Sequence, residues 1–244
     1  MSRLFVLAIA LSSLSSLLAS PLATKRQSIT TLSTAQITAF KPFTFFAGAA
    51  NCDPSTTINW SCGTNCDANT GFLPTASGGD GTDTQFCKSA PDILSAVEKT
   101  LAAHPDASVT TIGHSLGAAL ALLDAVYLPL HLPTGTSFKT VTYGMPRVGN
   151  LAFADYVDAQ ITSLAGGTGL THVNNKKDPV PLLPGRSLGF YHPSGEVHIQ
   201  NSNAWDACPG QDNSSDLCIV GDVPNIFESD TSDHLGPYDG VEIA

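Results

Sequence analysis

A strand-like pattern at residues 107–112 runs through Gly113-His114-Ser115-Leu116-Gly117 into a strong helix pattern at 116–128. Glycines on both sides of the serine leave room for a sharp turn from a strand into a helix. Such a turn is typical of a nucleophile elbow, which lifts a serine hydroxyl above the sheet edge. We predict that Ser115 is a nucleophile and that the Leu116 backbone N–H, at the helix N-terminus, donates to a developing oxyanion. The alternative is a tight turn with a serine that has no chemical role.

Strand and helix patterns alternate along the chain. Apolar residues recur with a helical period from Pro91 to Ala103, and a capping box at Ser33 opens a helix through Phe40, where Pro42 ends it or kinks it. Alternating strands and helices predict an α/β fold on a mostly parallel sheet. The strands are predicted at 107–112, 138–143, 170–174 and 195–200, and the other helices at 116–128 and 150–162.

A serine nucleophile needs a base and an acid that orients the base, and in α/β-hydrolases these follow the serine in the order Asp or Glu, then His. Asp178 fits the acid because it follows the predicted strand at 170–174 and is flanked by prolines that stiffen its turn. An aspartate before a proline is also a common way to begin a turn. Asp155 and Asp158 are expected on the solvated face of the helix at 150–162.

The predicted base is His234, which lies in a polar loop near the C-terminus from which its side chain could reach Ser115. His172 and His198 fall inside predicted strands and are expected to be structural. His192, in a turn-rich segment, is the competing candidate for the base.

Three motifs together resemble the fungal class 3 lipases, the triacylglycerol lipase and feruloyl esterase group. They are the elbow with its following Ala-Ala-Leu-Ala, residues 140–150 (Thr-Val-Thr-Tyr-Gly-Met-Pro-Arg-Val-Gly-Asn), and residues 174–181 (Asn-Asn-Lys-Lys-Asp-Pro-Val-Pro). The resemblance implies an α/β-hydrolase fold from about Ser33 onward and hydrolysis of acylglycerols or other carboxylic esters through an acyl-enzyme. It also implies a triad of Ser115, Asp178 and His234. No cofactor is expected, and no cysteine or histidine cluster has the spacing of a zinc site.

The chain departs from the family pattern before the elbow. Residues 51–88 contain no apolar strand and are predicted to form a loop, and roughly fifty residues of the family pattern are missing near 81–87. The sheet is therefore predicted to lack several strands. In Gly81-Thr82-Asp83, Thr82 is the candidate for a second oxyanion donor, with an ordinary glycine-rich turn as the alternative. A missing lid would favour soluble esters over lipid interfaces. The competing hypothesis is an inactive lipase-like secreted protein or a mis-spliced product that lacks the oxyanion loop and lid.

The N-terminus predicts secretion. Residues 1–20 have the charged start and apolar centre of a signal peptide, too short and too broken by serines to span a membrane. Residues 21–26 end in a dibasic pair and are predicted to be a short propeptide, which leaves 27–244 as a single domain. We expect an extracellular protein without stable membrane insertion.

The six cysteines allow fifteen connectivities. Two pairs are close enough in sequence to form local disulfides and also fit the family pattern: Cys62 with Cys66, and Cys208 with Cys218. Cys52 and Cys87 stay unassigned, and one free thiol is an open alternative. Asn59 and Asn213 open sequons for N-glycosylation.

The net charge of −10 argues against nucleic acid or an anionic membrane as a partner. The acidic residues between Asp206 and Asp239 lack the regular spacing of a calcium loop and are expected to be a solvated region around the base. The expected partner is an ester or lipid substrate, and we expect a monomer.

Overall fold

A computed structural model describes residues 28–76 and 86–243. Within these residues a six-stranded sheet forms the centre, and a two-stranded ribbon of the strands β4 and β6 lies apart from it. The strands are β1 (Thr30–Thr31), β2 (Val109–His114), β3 (Phe138–Tyr143), β4 (Gly149–Asn150), β5 (Leu170–Asn175), β6 (Phe190–Tyr191), β7 (Glu196–Ile199) and β8 (Trp205–Cys208). The predicted signal peptide and propeptide lie outside the described residues.

The order of strands in the sheet is β1-β8-β7-β5-β3-β2. The strands β2, β3, β5 and β7 are parallel to one another, while β8 and β1 add an antiparallel edge. The mostly parallel sheet is therefore confirmed. The antiparallel strands β8 and β1 were not predicted. The strand β8 forms because a turn after residue 199 returns the chain directly alongside β7, where the Gln200 N–H donates to Ala204 O and the Asn203 N–H donates to Gln200 O. The strand β1 then pairs with the other edge of β8.

In the described part of the chain, β2 pairs with β3 alone and is an edge strand. The N–H of Val109 donates to Ser137 O and the N–H of Ser115 to Tyr143 O. Because bonds of a parallel pair use alternate residues, the backbone groups of Thr110, Ile112 and His114 point away from β3. Among the described residues, the strand that leads into the elbow therefore has backbone hydrogen bonds to a neighbouring strand on one side only.

The described helices pack on both faces of the sheet. They are α1 (Thr34–Thr38), α2 (Lys41–Ala49), α3 (Pro54–Thr57), α4 (Thr64–Asp67), α5 (Phe86–Ala103), α6 (Leu116–Tyr127), α7 (Leu151–Val157), α8 (Leu164–Gly167) and α9 (Ile219–Asp222). A wider π turn, Asp158–Thr162, continues α7 and brings the predicted helix at 150–162 to its expected end.

Two predictions about helices need correction. Residues 51–76 contain no strand, as expected, but they form the short helices α3 and α4 rather than a loop, because Asp53 caps the first with its carboxylate. The helix α5 begins at Phe86 and not at Pro91, which lies inside it. Pro91 removes only one intrahelical hydrogen bond near the N-terminus, a loss that an 18-residue helix tolerates.

Apolar side chains fill both faces of the sheet. One cluster joins α2 and the C-terminal segment to the sheet through Ala47, Val141, Val173, Trp205 and Tyr238. The opposite cluster joins α6 and α7 to the sheet and contains Ala118, Leu122, Ala125, Met145, Val157, Ile161 and Leu170. The central parallel strands are consequently buried on both faces, as parallel sheets require.

Candidate active site

Ser115 lies between the end of β2 and the first residue of α6, with φ +57° and ψ −128°. This positive φ is costly for a serine and persists because strand and helix hold the turn from both sides. A Cβ atom on Gly113 would lie 2.2 Å from Gly117 O, so only glycine fits at position 113. Among the described residues, a Cβ on Gly117 would meet nothing within 4 Å outside its own helix, so no described neighbour requires glycine at position 117, contrary to expectation.

The side chains of Ser115, His234 and Asp178 form one hydrogen-bonded chain. His234 Nε2 lies 2.8 Å from Ser115 Oγ, and His234 Nδ1 lies 2.8 Å from Asp178 Oδ2. Because the carboxylate only accepts, the Nδ1–H donates to Asp178 and the free Nε2 accepts the Ser115 hydroxyl proton. Asp178 is fully buried, whereas the His234 side chain is 14% exposed. The sequence selected these three residues, and the fold brings them within contact.

The turn after β5 aims the Asp178 carboxylate. Its Oδ1 accepts the N–H of Val180 at 2.8 Å, which leaves Oδ2 for His234. The Asp178 N–H in turn donates to Asn175 O, at the last residue of β5. Both carboxylate oxygens therefore have a partner, and the acid cannot rotate without breaking the bond to Val180.

The turn Thr231–His234, which carries the base, is bonded directly to the turn that carries the acid. The N–H of Asp230 donates to Lys177 O at 2.8 Å, and the N–H of Lys177 donates to Asp233 Oδ2 at 3.1 Å. Asn175 Nδ2 donates to Asp233 O at 2.9 Å. These reciprocal bonds fix His234 relative to Asp178 across a gap of 56 residues in the sequence.

Arg147 holds the segment that directly follows the turn carrying Asp178. It was not identified as a site residue from the sequence. It is buried, and its Nη1 donates to the carbonyls of Leu182 and Pro184 at 2.5 and 3.1 Å. Its Nε and Nη2 donate to Asp212 Oδ1 at 2.9 and 2.7 Å. The only sequence signal was its place in the 140–150 motif, which does not reveal its partners.

The acidic C-terminal region is not uniformly solvated, which corrects the prediction. Asp212 is buried against Arg147, and Asp206 is buried and accepts the Thr31 hydroxyl at 2.5 Å. Asp222 accepts from Lys177 Nζ at 2.6 Å. These carboxylates are buried or partly buried because each has a donor, which offsets the cost of removing it from water.

Asp158 also differs from expectation. Asp155 is exposed, but Asp158 accepts the Ser194 N–H and hydroxyl at 2.7 and 2.8 Å. Gln211 Nε2 bridges both carboxylates, at 3.0 Å from Asp155 and 2.9 Å from Asp158. Asp158 thus ties the end of the α7 region to the segment before β7 and is structural.

In the described part of the chain, the other candidate histidines bond backbone carbonyls and not Ser115. His172 and His192 are fully buried and stacked, with ring centroids 5.0 Å apart, and their Nε2 atoms bond the carbonyls of Pro193 and Pro181. Burial lowers the pKa of His172 to about 4 and the pKa of His192 well below its ordinary value, so both rings are neutral. His198 is also buried and bonds backbone carbonyls. His192 is therefore no longer a competing base.

The Leu116 N–H is one of the donors that the first turn of a helix leaves without an intrahelical acceptor, and it lies beside Ser115. Its side chain is 58% exposed. Thr82, the candidate for a second oxyanion donor, lies outside the described residues.

The structure contains both predicted local disulfides, Cys62–Cys66 and Cys208–Cys218. Cys52 has no disulfide partner in the described part of the chain, and the Cys87 side chain lies outside that part. Asn59 is exposed and Asn213 half-buried, and their glycosylation stays a prediction.

Glu196 lies beside the Cys208–Cys218 disulfide, and these three side chains are close enough together to suggest a metal site. Sulfur atoms already joined in a disulfide are not thiolates, so this group does not fit a metal ion. Burial raises the pKa of Glu196 to about 7, and its Oε1 accepts the Ile219 N–H at 2.7 Å.

A mostly parallel sheet with flanking helices, a serine on a strand-to-helix elbow, and an acid and a histidine that follow the serine in the order Ser115, Asp178, His234 define an α/β-hydrolase. The family described as "Lipase (class 3)" matches residues 13–188. The chain belongs to this family, which confirms the resemblance seen in the sequence.

Named relatives come from Malassezia. The "Secreted mono- and diacylglycerol lipase MDL2" of Malassezia globosa is 40% identical over 154 residues, which are 62% of this chain and 47% of that protein. The "Secreted mono- and diacylglycerol lipase LIP4" of Malassezia restricta is 44% identical over 110 residues, 44% of this chain and 35% of that protein. The chain spans about half the length of the first of these relatives.

Solved lipases share the fold. "Lipase II from Rhizopus niveus" aligns with a TM-score of 0.70 at 24% identity and covers 88% of this chain and 98% of that one. The "Rhizomucor miehei lipase propeptide complex" aligns with a TM-score of 0.69 at 25% identity and covers 88% and 84%. These alignments confirm the predicted fold class.

Proposed function

We propose that this chain is a secreted carboxylic-ester hydrolase that works through an acyl-enzyme. The observation that carries this proposal is the continuous chain of hydrogen bonds from Asp178 through His234 to Ser115, at the end of a parallel strand and the start of a helix. Members of the same family named as secreted lipases support it.

Each group has a defined task in the proposed reaction. As Ser115 Oγ bonds to the ester carbonyl carbon, its proton moves to His234 Nε2 and the carbonyl electron pair moves to oxygen, where the Leu116 N–H donates. The intermediate then collapses, the alcohol leaves with the proton from His234, and a water molecule repeats the sequence to release the acid. Asp178 keeps the imidazole in the tautomer that accepts a proton at Nε2 and stabilises the imidazolium.

We assign acylglycerols as the substrate class, with short soluble esters as the alternative. Malassezia relatives named as mono- and diacylglycerol lipases favour the first. Exposed leucines adjacent in sequence to site residues, Leu116 beside Ser115 and Leu235 beside His234, also suit an apolar acyl chain. Within the described residues no helix is both long and apolar enough to cross a membrane.

An inactive lipase-like protein remains the competing function, and a specific observation favours it. The elbow strand β2 has a neighbour on one side only in the described residues, and just one oxyanion donor, the Leu116 N–H, is described there. Losing one such donor typically lowers turnover by ~10²–10³-fold, which is a large decrease but leaves a measurable rate.

The test is hydrolysis of p-nitrophenyl butyrate by the purified chain, by Ser115→Ala and by Ser187→Ala, which alters an exposed serine outside the site. We expect Ser115→Ala to lose ~10³-fold or more of kcat and Ser187→Ala to match the parent. Labelling with diethyl p-nitrophenyl phosphate should add one diethylphosphoryl group, on the peptide that contains Ser115. A folded parent with no turnover and no label would establish the inactive alternative.

A further inference from the structure

His114 contacts the base from the strand that carries the nucleophile. It is the last residue of β2 and directly precedes Ser115. Its ring packs on the His234 ring, with centroids 4.5 Å apart and planes at 32°. Its Nε2 lies 2.7 Å from the backbone carbonyl oxygen of His234. One residue thus touches both the side chain and the main chain of the base.

A second donor reaches the same carbonyl. The Tyr238 hydroxyl donates to His234 O at 3.3 Å, and the Tyr238 ring meets the His114 ring edge to face at 6.4 Å. Tyr238 is fully buried and packs edge to face on Tyr143, at 5.1 Å. The carbonyl of His234 is therefore held between β2 on one side and the C-terminal segment on the other.

The contact requires a particular form of His114. A carbonyl oxygen only accepts, so His114 must carry its proton on Nε2. Burial lowers the pKa of His114, which favours the neutral ring. The titratable groups that face it are His234 and Tyr238, with Asp178 behind His234 and Tyr143 level with it on β3. A neutral His114 adds no second positive charge beside His234 when that ring accepts a proton.

We propose that His114 is a positioning residue whose Nε2–H, together with the Tyr238 hydroxyl, fixes the His234 carbonyl and thereby the distance from His234 Nε2 to Ser115 Oγ. This inference rests on the proposed ester hydrolysis. Misplacing a catalytic group by about 1 Å can cost ~10²-fold in rate, so even a partial release of His234 lowers kcat. Because this carbonyl already accepts from His114 and Tyr238, we expect no contact between it and the substrate, and we expect KM to stay near its parent value.

The test compares two substitutions at one position. His114→Gln places an amide N–H where Nε2 stood, whereas His114→Leu fills similar space without a donor. With p-nitrophenyl butyrate we expect His114→Leu to lower kcat ~10-fold, as loss of one hydrogen bond permits, and His114→Gln to stay within ~3-fold. Tyr238→Phe should lower kcat less than His114→Leu. The exposed His104→Leu is the matched control.

A second measurement needs no turnover. In a Ser115→Ala background with 15N-labelled histidine, the Nδ1 proton of His234 reports its bond to Asp178 by NMR. We expect this resonance to persist in His114→Gln and to broaden in His114→Leu. Equal behaviour of the two variants, in kcat or in this resonance, would overturn the proposal. A folded parent without esterase activity would overturn the proposed function instead, and the NMR comparison would still decide the role of His114.

Discussion

Gly144 and Asp178 approach so closely that no side chain fits between them. A Cβ atom on Gly144 would lie 2.8 Å from Asp178 Oδ2 and 2.9 Å from Cε1 and Nδ1 of His234. Gly144 follows β3 with φ +52°, and its N–H donates to Val173 O. The backbone at the end of β3 thus packs directly against both the acid, Asp178, and the base, His234.

Gly144→Ala should therefore damage activity more than folding. The added methyl group would push Asp178 and His234 apart, and we expect kcat to fall ~10²-fold. The control is Gly135→Ala: position 135 also has a positive φ, +93°, but no atom of the described residues lies within 4 Å of the added Cβ. Both variants bear the backbone strain, so equal kcat values in the two would contradict the steric argument.

The buried pair of Arg147 and Asp212 can be tested with a double-mutant cycle. Arg147→Met leaves the Asp212 charge buried without its cation, with only the His192 N–H still donating to it, and should lower the free energy of unfolding by ~3–5 kcal/mol. Adding Asp212→Leu removes that charge, so the double variant should regain more than ~1 kcal/mol over Arg147→Met alone. Urea denaturation measures the free energy of unfolding of Arg147→Met, Asp212→Leu and the double variant. If the losses of the two single variants added up to the loss of the double variant, the coupling would be contradicted.

Asp124, on α6, predicts a pH-dependent loss of stability. Its Oδ1 is buried without a partner in the described residues, and burial raises the pKa of Asp124 to about 6 from its ordinary 3.8. The folded protein therefore keeps this proton at pH values where the unfolded chain has lost it, so the free energy of unfolding falls as pH rises from about 4 to about 6.

Asp124→Asn removes this titration. Its melting temperature should equal that of the parent near pH 3.5 and exceed it above pH 6, by the equivalent of about 1 kcal/mol after solvent screening. Asp92→Asn, an exposed aspartate on α5, is the control and should not show the trend. Melting curves measured from pH 3.5 to pH 8 decide the matter, and a difference independent of pH would exclude titration of Asp124 as its cause.

The two disulfides should contribute unequally. Cys208 and Cys218 are both buried and are separated by 10 residues, whereas Cys62 and Cys66 are separated by 4. Replacing both members of a pair by alanine should cost ~3 kcal/mol for the longer loop and ~2 kcal/mol for the shorter, before any loss of packing. Chemical denaturation of the two double variants measures the two losses of stability. A larger loss for the Cys62–Cys66 variant than for the Cys208–Cys218 variant would contradict the prediction.

The sequence predicted the parts of the fold that rest on local patterns. The strand β3 lies where its β-branched run predicted it, and α6 differs from its prediction by one residue. The strand β8 was not predicted, because its four residues are too few to show a clear alternation of apolar and polar side chains. Its pairing with β7 is set by the turn that joins the two strands.

The candidate site likewise contains residues that the sequence predicted and residues that it did not. Ser115, Asp178 and His234 were selected from a motif, a chain order and the ends of strands, and they lie in contact. The supporting roles of Arg147 and His114 could not be predicted, since each depends on contacts with residues that are 35 to 120 positions away. Such contacts leave no periodic signal in a single sequence.

In the described part of the chain β2 is paired on one side only, which has a practical consequence for anyone who handles this protein. Three successive alternate residues, Thr110, Ile112 and His114, present backbone donors and acceptors along an edge that carries no lysine, glutamate or proline to discourage pairing. Two molecules that pair along this edge would meet directly beside Ser115, which follows His114 in the chain. Loss of activity on storage should therefore grow with protein concentration, even though a net charge of −10 keeps the chains apart at long range.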